Sequence, residues 1–272
     1  VTVPFASRLS ARVGAIAVPD DRRVHERPTP TLGGMAILFG VVAGVGVAWW
    51  LGAYDAVFEA PTAPIGVLVA AAVVYLVGGI DDVREISAPA KTAGTVLAGS
   101  VLNFAGVSIL LFRFPPVGLI SLSPDWAALV TVLLVVGMCQ AINLIDGLDG
   151  LAAGIVGIAA FALFLFADEL AEPEVAQLPA DNIAPLIALA TAGACVGFLP
   201  FNVHPAKIFM GDGGALLLGL LMAAASIAVG GNSTADSSSQ TFFFFAPLFI
   251  PLVSLGVPIL DEAGFTALLE NG

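Results

Sequence analysis

The chain has 272 residues, of which 58% are hydrophobic and 11% charged, with a mean hydropathy of +1.01. A soluble domain carries about 25% charged residues, so the composition excludes an ordinary soluble domain and leaves a polytopic membrane protein. The formal net charge of −12 comes with no basic patch, which argues against nucleic acid as a partner.

In chain order, the apolar windows predict an all-α membrane helix bundle of about eight complete spans. They run over 33–51, 63–80, 89–106, 125–145, 148–167, 182–200, 211–230 and 242–260. The short apolar stretch before Arg8 reads as the remnant of an earlier span, so the expectation is one transmembrane domain, 1–272, cut short at both ends. Pro19, Pro28 and Pro30 punctuate the polar segment ahead of the first span, and "GNSTADSSSQ" is a polar connector before the last. Pro247, Pro251 and Pro258 predict a kinked final span, and the "FFFF" run at 242–245 reads as packing or lipid-facing surface. Cys139 and Cys195 lie inside apolar runs and are expected to pack as buried thiols.

Alternating the loops sorts the cations. Arg8, Arg12, Arg22, Arg23, Arg27, Arg84, Lys91 and Lys207 fall on one side, and Arg113 alone on the other with the acidic "ADELAEPEVAQLPAD". That asymmetry assigns the first side to the cytoplasm. The polar segments "PDDRRVHERPTPTLGG", "GGIDDVREIS", "NLIDGLDG" and "FNVHPAKIFMGDGG" all fall there. A carboxylate at a helix centre costs about 2.5–3.5 kcal/mol on insertion scales. Five of them are therefore expected at the cytoplasmic rim, where they can share cations in an active site.

Asp81 and Asp82 end the second span; neighbours on a helix point about 100° apart, so the two carboxylates should do different jobs. The competing reading is an acidic helix end, which the macrodipole disfavours. Asp146 and Asp149, at i and i+3, would share a face if helical, with Asn143 one turn back as a neutral oxygen ligand for Mg²⁺. Alternatively Asp149 is the N-cap of the next span. Asp212 stands at the start of a helix whose N–H groups would favour phosphate, and can hold Mg²⁺ against that phosphate; the plain alternative is an N-cap. Lys207 adds a point charge suited to a diphosphate. Arg23, His25 and Arg27 form a cationic strip for a lipid phosphate or else a topology signal, while His204 alone is a weak clue.

The pieces "RRVHERPTPTLGG", "GGIDD", "NLIDGLDGLAAG" and "GFLPFNVHPAKIFMGDGG", in this order over nearly the whole chain, resemble the polyprenyl-phosphate N-acetylhexosamine-1-phosphate transferases. "HPAKIFMGD" looks more like the branch using UDP-N-acetylglucosamine than the one using UDP-MurNAc-pentapeptide. The resemblance implies transfer of a sugar-1-phosphate from UDP-N-acetylhexosamine to undecaprenyl or another polyprenyl phosphate, with UMP released and Mg²⁺ (or Mn²⁺) required. It implies Asp81 and Asp82 as catalytic carboxylates and Asp212 as a metal ligand, with Asn143 a second candidate. Asn143, Asp146, Asp149, Asn202, His204, Lys207, His25 and Arg23 are the substrate-binding candidates. A bacterial plasma membrane and membrane lipid are the implied surroundings, and a homodimer is compatible with the pattern. The family also carries a histidine-rich motif after "PILD"; here "PILDEAGFTALLENG" holds none, which leaves an inactive or truncated lipid-phosphate-binding relative as the alternative.

Two other classes fare worse. An intramembrane aspartyl protease needs Gly-x-Gly-Asp, and Phe209 stands where the first glycine belongs. A coupled transporter would hold its ionisable residues at mid-membrane between broken helices.

Overall fold

The computed structural model describes residues 2–17, 28–84, 86–114, 118–172, 175 and 177–230. The expected eighth span, the "FFFF" run, the three late prolines, Arg23 and His25 lie outside the described residues.

The chain starts with α1 (Thr2–Val13) and passes through a two-residue antiparallel pairing of β1 (Ile16–Ala17) with β2 (Thr29–Pro30). Then come α2 (Gly33–Trp50), the short α3 (Asp55–Glu59), α4 (Thr62–Arg84) and α5 (Ala88–Phe104). A hairpin of β3 (Leu111–Phe114) and β4 (Gly118–Ser121) leads to α6 (Pro124–Ile145), α7 (Leu151–Ala171), α8 (Ala184–Asn202) and α9 (Gly211–Gly230).

Seven of the eight expected spans are thus helices. Six of them are long and apolar enough to cross a membrane. The other, α5, has 17 residues, about 25 Å of helix. These segments hold many valines and glycines, which are poor helix formers in water. In hydrocarbon every backbone N–H and C=O must be satisfied within the segment, and that requirement overrides propensity. Proline enters at the first turns of α5, α6 and α8, where the N–H would have no intrahelical partner, and Pro200 lies inside α8 close to its C-terminal end. This is an integral membrane protein of the all-α class, with two short hairpins that hydropathy did not foretell.

The axis of the bundle is α9, buried at every position from Gly213 to Val229. A helix apolar on all sides belongs in the middle. Lipid offers no hydrophobic drive between helices, so close approach of backbones has to supply the packing. Three crossings show it. A Cβ on Gly78 of α4 would stand 2.5 Å from the Gly213 nitrogen. One on Gly214 would stand 2.8 Å from the Gly34 Cα of α2, and one on Gly219 would stand 2.5 Å from the Cys139 Cα of α6. The crossings of α4 and α2 lie at the N-terminal end of α9, and they fix the polar end of the bundle. Cys139 and Cys195 are both buried free thiols, as expected from their apolar runs.

Candidate active site

The C-terminal end of α4, the first turn of α5, the ends of α6 and α8, and the first turn of α9 converge at one end of the bundle. Asp81 and Asp82, adjacent in sequence, turn to different partners there. The Asp81 Oδ1 accepts the Ile86 N–H at 2.8 Å, and its Oδ2 pairs with the Lys91 ammonium at 2.5 Å. The same Lys91 ammonium also pairs with Asp212 Oδ2. Lys91 thus joins α5 to carboxylates on α4 and α9.

Asp82 does something else. Its Oδ1 accepts the Asp212 N–H at 2.8 Å and its Oδ2 accepts the Gly213 N–H at 3.1 Å. The expectation that the start of α9 would offer these N–H groups to phosphate is corrected here: the anion at that helix end is the Asp82 carboxylate. Asp212 is likewise not the cap but a residue of the first turn, its own carboxylate directed to Lys91. Gly211 makes the contact feasible. It holds φ +70°, and a side chain there would run into the Asp82 carboxylate, with Oδ1 only 2.7 Å from a Cβ.

The "NLIDGLDG" segment leaves α6 at Ile145 and turns over residues 146–150, so the i, i+3 arrangement of Asp146 and Asp149 on one helix face does not form. Asp146 is the C-cap residue of α6 and Gly150, at φ 74°, caps α7, so Asp149 is not the N-cap either. The two carboxylates diverge. Burial first, and the Asp212 charge second, push the Asp146 carboxyl up to about 7. The Asp149 Oδ2 instead meets His204 Nδ1 at 2.9 Å and accepts the Ala206 N–H at 3.1 Å.

Asn202 is buried and spends both ends of its amide on the protein. Its oxygen accepts the Gly150 N–H at 3.2 Å, and its nitrogen donates to the Ile208 carbonyl at 3.0 Å. With Asp149 it stitches the 146–150 turn to the 203–210 loop. That loop also reaches α2: Phe209 donates to the Pro30 carbonyl, and Gly33 and Gly34 donate to the carbonyls of Phe209 and Met210, at 2.8–2.9 Å. The described part of "PTPTLGG" therefore holds the first turn of α9 in place. Thr31 extends the tie to α1, its N–H donating to Ser10 Oγ at 3.1 Å and its hydroxyl to the Ala15 carbonyl at 3.1 Å. His204 and Lys207 are exposed at the rim, and Asn143 is partly buried on the last turn of α6.

Lys91 and the anchoring use of Asp82 escaped the sequence. Lys91 registered there only as one positive charge among eight. Its position three residues into a helix that follows "DD" by a short turn is the one signal that could have found it.

Among the described residues, no group of three or more histidine, cysteine or acidic side chains is close enough to form a ready metal cage. Mg²⁺ does not need one, since it usually takes one or two carboxylates together with substrate phosphates. The donor set is of hard oxygens, and a cation, the Lys91 ammonium, already bridges two of the carboxylates. These residues fit Mg²⁺. A cavity of about 580 Å³ between α2 and α8 runs along Gly40, Gly44, Ala190 and Ala194, and none of the carboxylates named above lines it.

The family model of glycosyl transferase family 4 matches residues 64–230, which hold all but the first two residues of α4, the whole of α5 through α9 and every carboxylate named above. The chain is 43% identical over 214 residues to the decaprenyl-phosphate N-acetylglucosaminephosphotransferase of Mycobacterium tuberculosis, covering 78% of this chain and 53% of that protein. It is 34% identical over 272 residues to the probable undecaprenyl-phosphate N-acetylglucosaminyl 1-phosphate transferase of Bacillus subtilis, covering 96% and 66%. It is also 34% identical to the phospho-N-acetylmuramoyl-pentapeptide-transferase of Chlorobium phaeobacteroides, covering 74% and 58%. The chain thus spans about half the length of its mycobacterial relatives. With more than half of its residues matched and the carboxylate cluster inside the match, the chain belongs to glycosyl transferase family 4.

Proposed function

We propose that this protein transfers N-acetylglucosamine-1-phosphate from UDP-N-acetylglucosamine to a polyprenyl phosphate, at the cytoplasmic end of the bundle in a bacterial plasma membrane. An oxygen of the lipid phosphate forms a bond to the β-phosphorus of the donor. The bond from that phosphorus to the bridging oxygen breaks, and UMP leaves with that oxygen. The sugar–phosphate bond is untouched, and the product is a lipid-linked diphosphosugar.

The observation that carries this reading is the Asp81–Lys91–Asp212 bridge, set beside Asp146 at the polar end of an otherwise apolar bundle. Phosphoryl transfer needs positioning and charge neutralisation more than covalent help. A phosphate monoester loses its second proton near pH 6, so a lipid phosphate arrives at neutral pH with an ionised oxygen. The demand for a general base is correspondingly small. That suits carboxylates already engaged with protein partners. Asp82 holds the start of α9, and Asp81 holds Lys91; together they set where Asp212 stands. Mg²⁺, when bound, would draw on Asp212 with Asn143 or Asp81 and would neutralise charge on the diphosphate.

The exposed His204 and Lys207 border the site on the 203–210 loop, where a nucleotide diphosphate can reach them. The choice of N-acetylglucosamine is supported by the "HPAKIFMGD" resemblance and by the names of the mycobacterial and Bacillus relatives. The muramoyl-pentapeptide donor is the second reading, favoured by the name of the Chlorobium relative. The test is UMP release by the purified chain with Mg²⁺, polyprenyl phosphate and each UDP-sugar in turn. UMP is expected with UDP-N-acetylglucosamine and lost in Asp212→Asn. Release only with UDP-MurNAc-pentapeptide would transfer the claim to the second donor, and release with neither would remove the transferase reading.

A further inference from the structure

Lys91 sits where three helices meet. One ammonium pairs with Asp81 Oδ2 at 2.5 Å and with Asp212 Oδ2, and its side chain is only 17% exposed. Asp81, Asp82 and Asp212 come together at this junction, and like charges so placed repel unless a cation stands among them. An ammonium is a compact point charge with three donors on a flexible stem. Between two carboxylate oxygens it fills the space that a divalent cation using the same oxygens would fill, so the two exclude one another.

We propose that the Lys91 ammonium is a tethered counter-cation that keeps the place of the divalent metal between Asp81 and Asp212, and that metal binding displaces it. The inference rests on the metal-assisted reading above. Lys91 is thereby a positioning residue: its ammonium stands between the two carboxylates while no metal is present. Its four-carbon stem lets it swing aside without moving α5. Asp82 takes no part in the exchange, because both its oxygens remain on the first turn of α9.

A purely structural lysine gives the opposite outcome. If Lys91 only braces the carboxylates, its neutralisation splays them and weakens metal binding, and added metal leaves its amine as hidden as before. The sequence has two lysines, so exposed Lys207 supplies an internal reference.

The experiment uses the chain in detergent. Reductive methylation of each lysine is followed by peptide mass spectrometry in EDTA and in saturating Mn²⁺, with bound Mn²⁺ counted by electron paramagnetic resonance. Methylation of Lys91 relative to Lys207 is expected to rise severalfold with Mn²⁺. Lys91→Gln is expected to bind Mn²⁺ at least about tenfold more tightly than the parent, since a charge a few ångströms from the metal is removed. Lys91→Arg, which keeps the charge, is expected to bind no more tightly than the parent. Bound Mn²⁺ with Lys91 methylation unchanged or lowered would overturn the displacement while leaving the metal site standing, as would Lys91→Gln binding no tighter. If neither protein binds Mn²⁺, the metal reading fails, and the displacement fails with it.

Discussion

The Asp82 carboxylate grips the first turn of α9 with both oxygens, one on the Asp212 N–H at 2.8 Å and the other on the Gly213 N–H at 3.1 Å. An anion at a helix N-terminus satisfies free donors and opposes the positive end of the dipole. Here it also joins the last turn of α4 to the helix that carries Asp212. Asp82→Ala should destabilise the protein by about 1–3 kcal/mol, the range for stranding buried donors. Asp82→Asn, which keeps one acceptor, should fall between. Thermal unfolding in detergent reads the order; equal midpoints for all three proteins would contradict the anchoring role.

Asn202 offers a second mechanical test. Asn202→Asp keeps an acceptor for the Gly150 N–H but loses the donor to the Ile208 carbonyl and sets a carboxylate against that carbonyl. The expected cost is about 1–3 kcal/mol, seen as a lower unfolding midpoint and weaker binding of the UDP-sugar in calorimetry. An unchanged midpoint would mean that the 146–150 turn and the 203–210 loop are held together by other contacts.

The glycine crossings predict a sharp contrast between two identical substitutions. Gly78→Ala puts a methyl 2.5 Å from the Gly213 nitrogen, where only backbone could yield. Gly46→Ala meets nothing within 4 Å. The first should lower the unfolding midpoint and disturb the Asp82 anchor one turn away, whereas the second should leave stability within about 0.5 kcal/mol of the parent. Measured side by side, equal effects would contradict the close packing of α4 on α9.

Asp146 predicts a pH dependence. Its carboxyl stands at about 7 in the folded protein against an ordinary value of 3.8, because it is buried and faces Asp212. The native state therefore holds this proton more tightly than the unfolded chain does. Its contribution to stability is full below about pH 4, falls as pH rises to 7, and levels off above. Asp146→Asn removes that slope. In EDTA its unfolding midpoint should gain on the parent steadily from pH 4.5 to 7.5, and a constant difference would contradict the assignment.

The bundle was legible because a membrane span announces itself over about 20 residues. The loops that carry the chemistry were legible because carboxylates such as Asp81, Asp146 and Asp212 have little reason to sit beside apolar runs. Their partners were not legible, since partnership depends on helix register. The angle between Asp81 and Asp82 implied two jobs, but only the crossing of α4 and α9 sends Asp82 to the α9 N–H groups. The i, i+3 spacing of Asp146 and Asp149 suggested a common face. The helix ends at Ile145 first, and the pair separates. Lys91 carried no mark beyond its place just after the "DD" turn, because its role exists only where α4, α5 and α9 meet.

The proposed transfer turns on the fate of one phosphorus atom. The chain, incubated with polyprenyl phosphate, Mg²⁺ and UDP-N-acetylglucosamine labelled with ³²P at the β-position and ³H in the sugar, should move both labels together into the lipid fraction, with unlabelled UMP in the aqueous phase. Sugar label in the lipid with the β-phosphorus left behind in UDP would show glycosyl rather than phosphoglycosyl transfer, and would contradict the account.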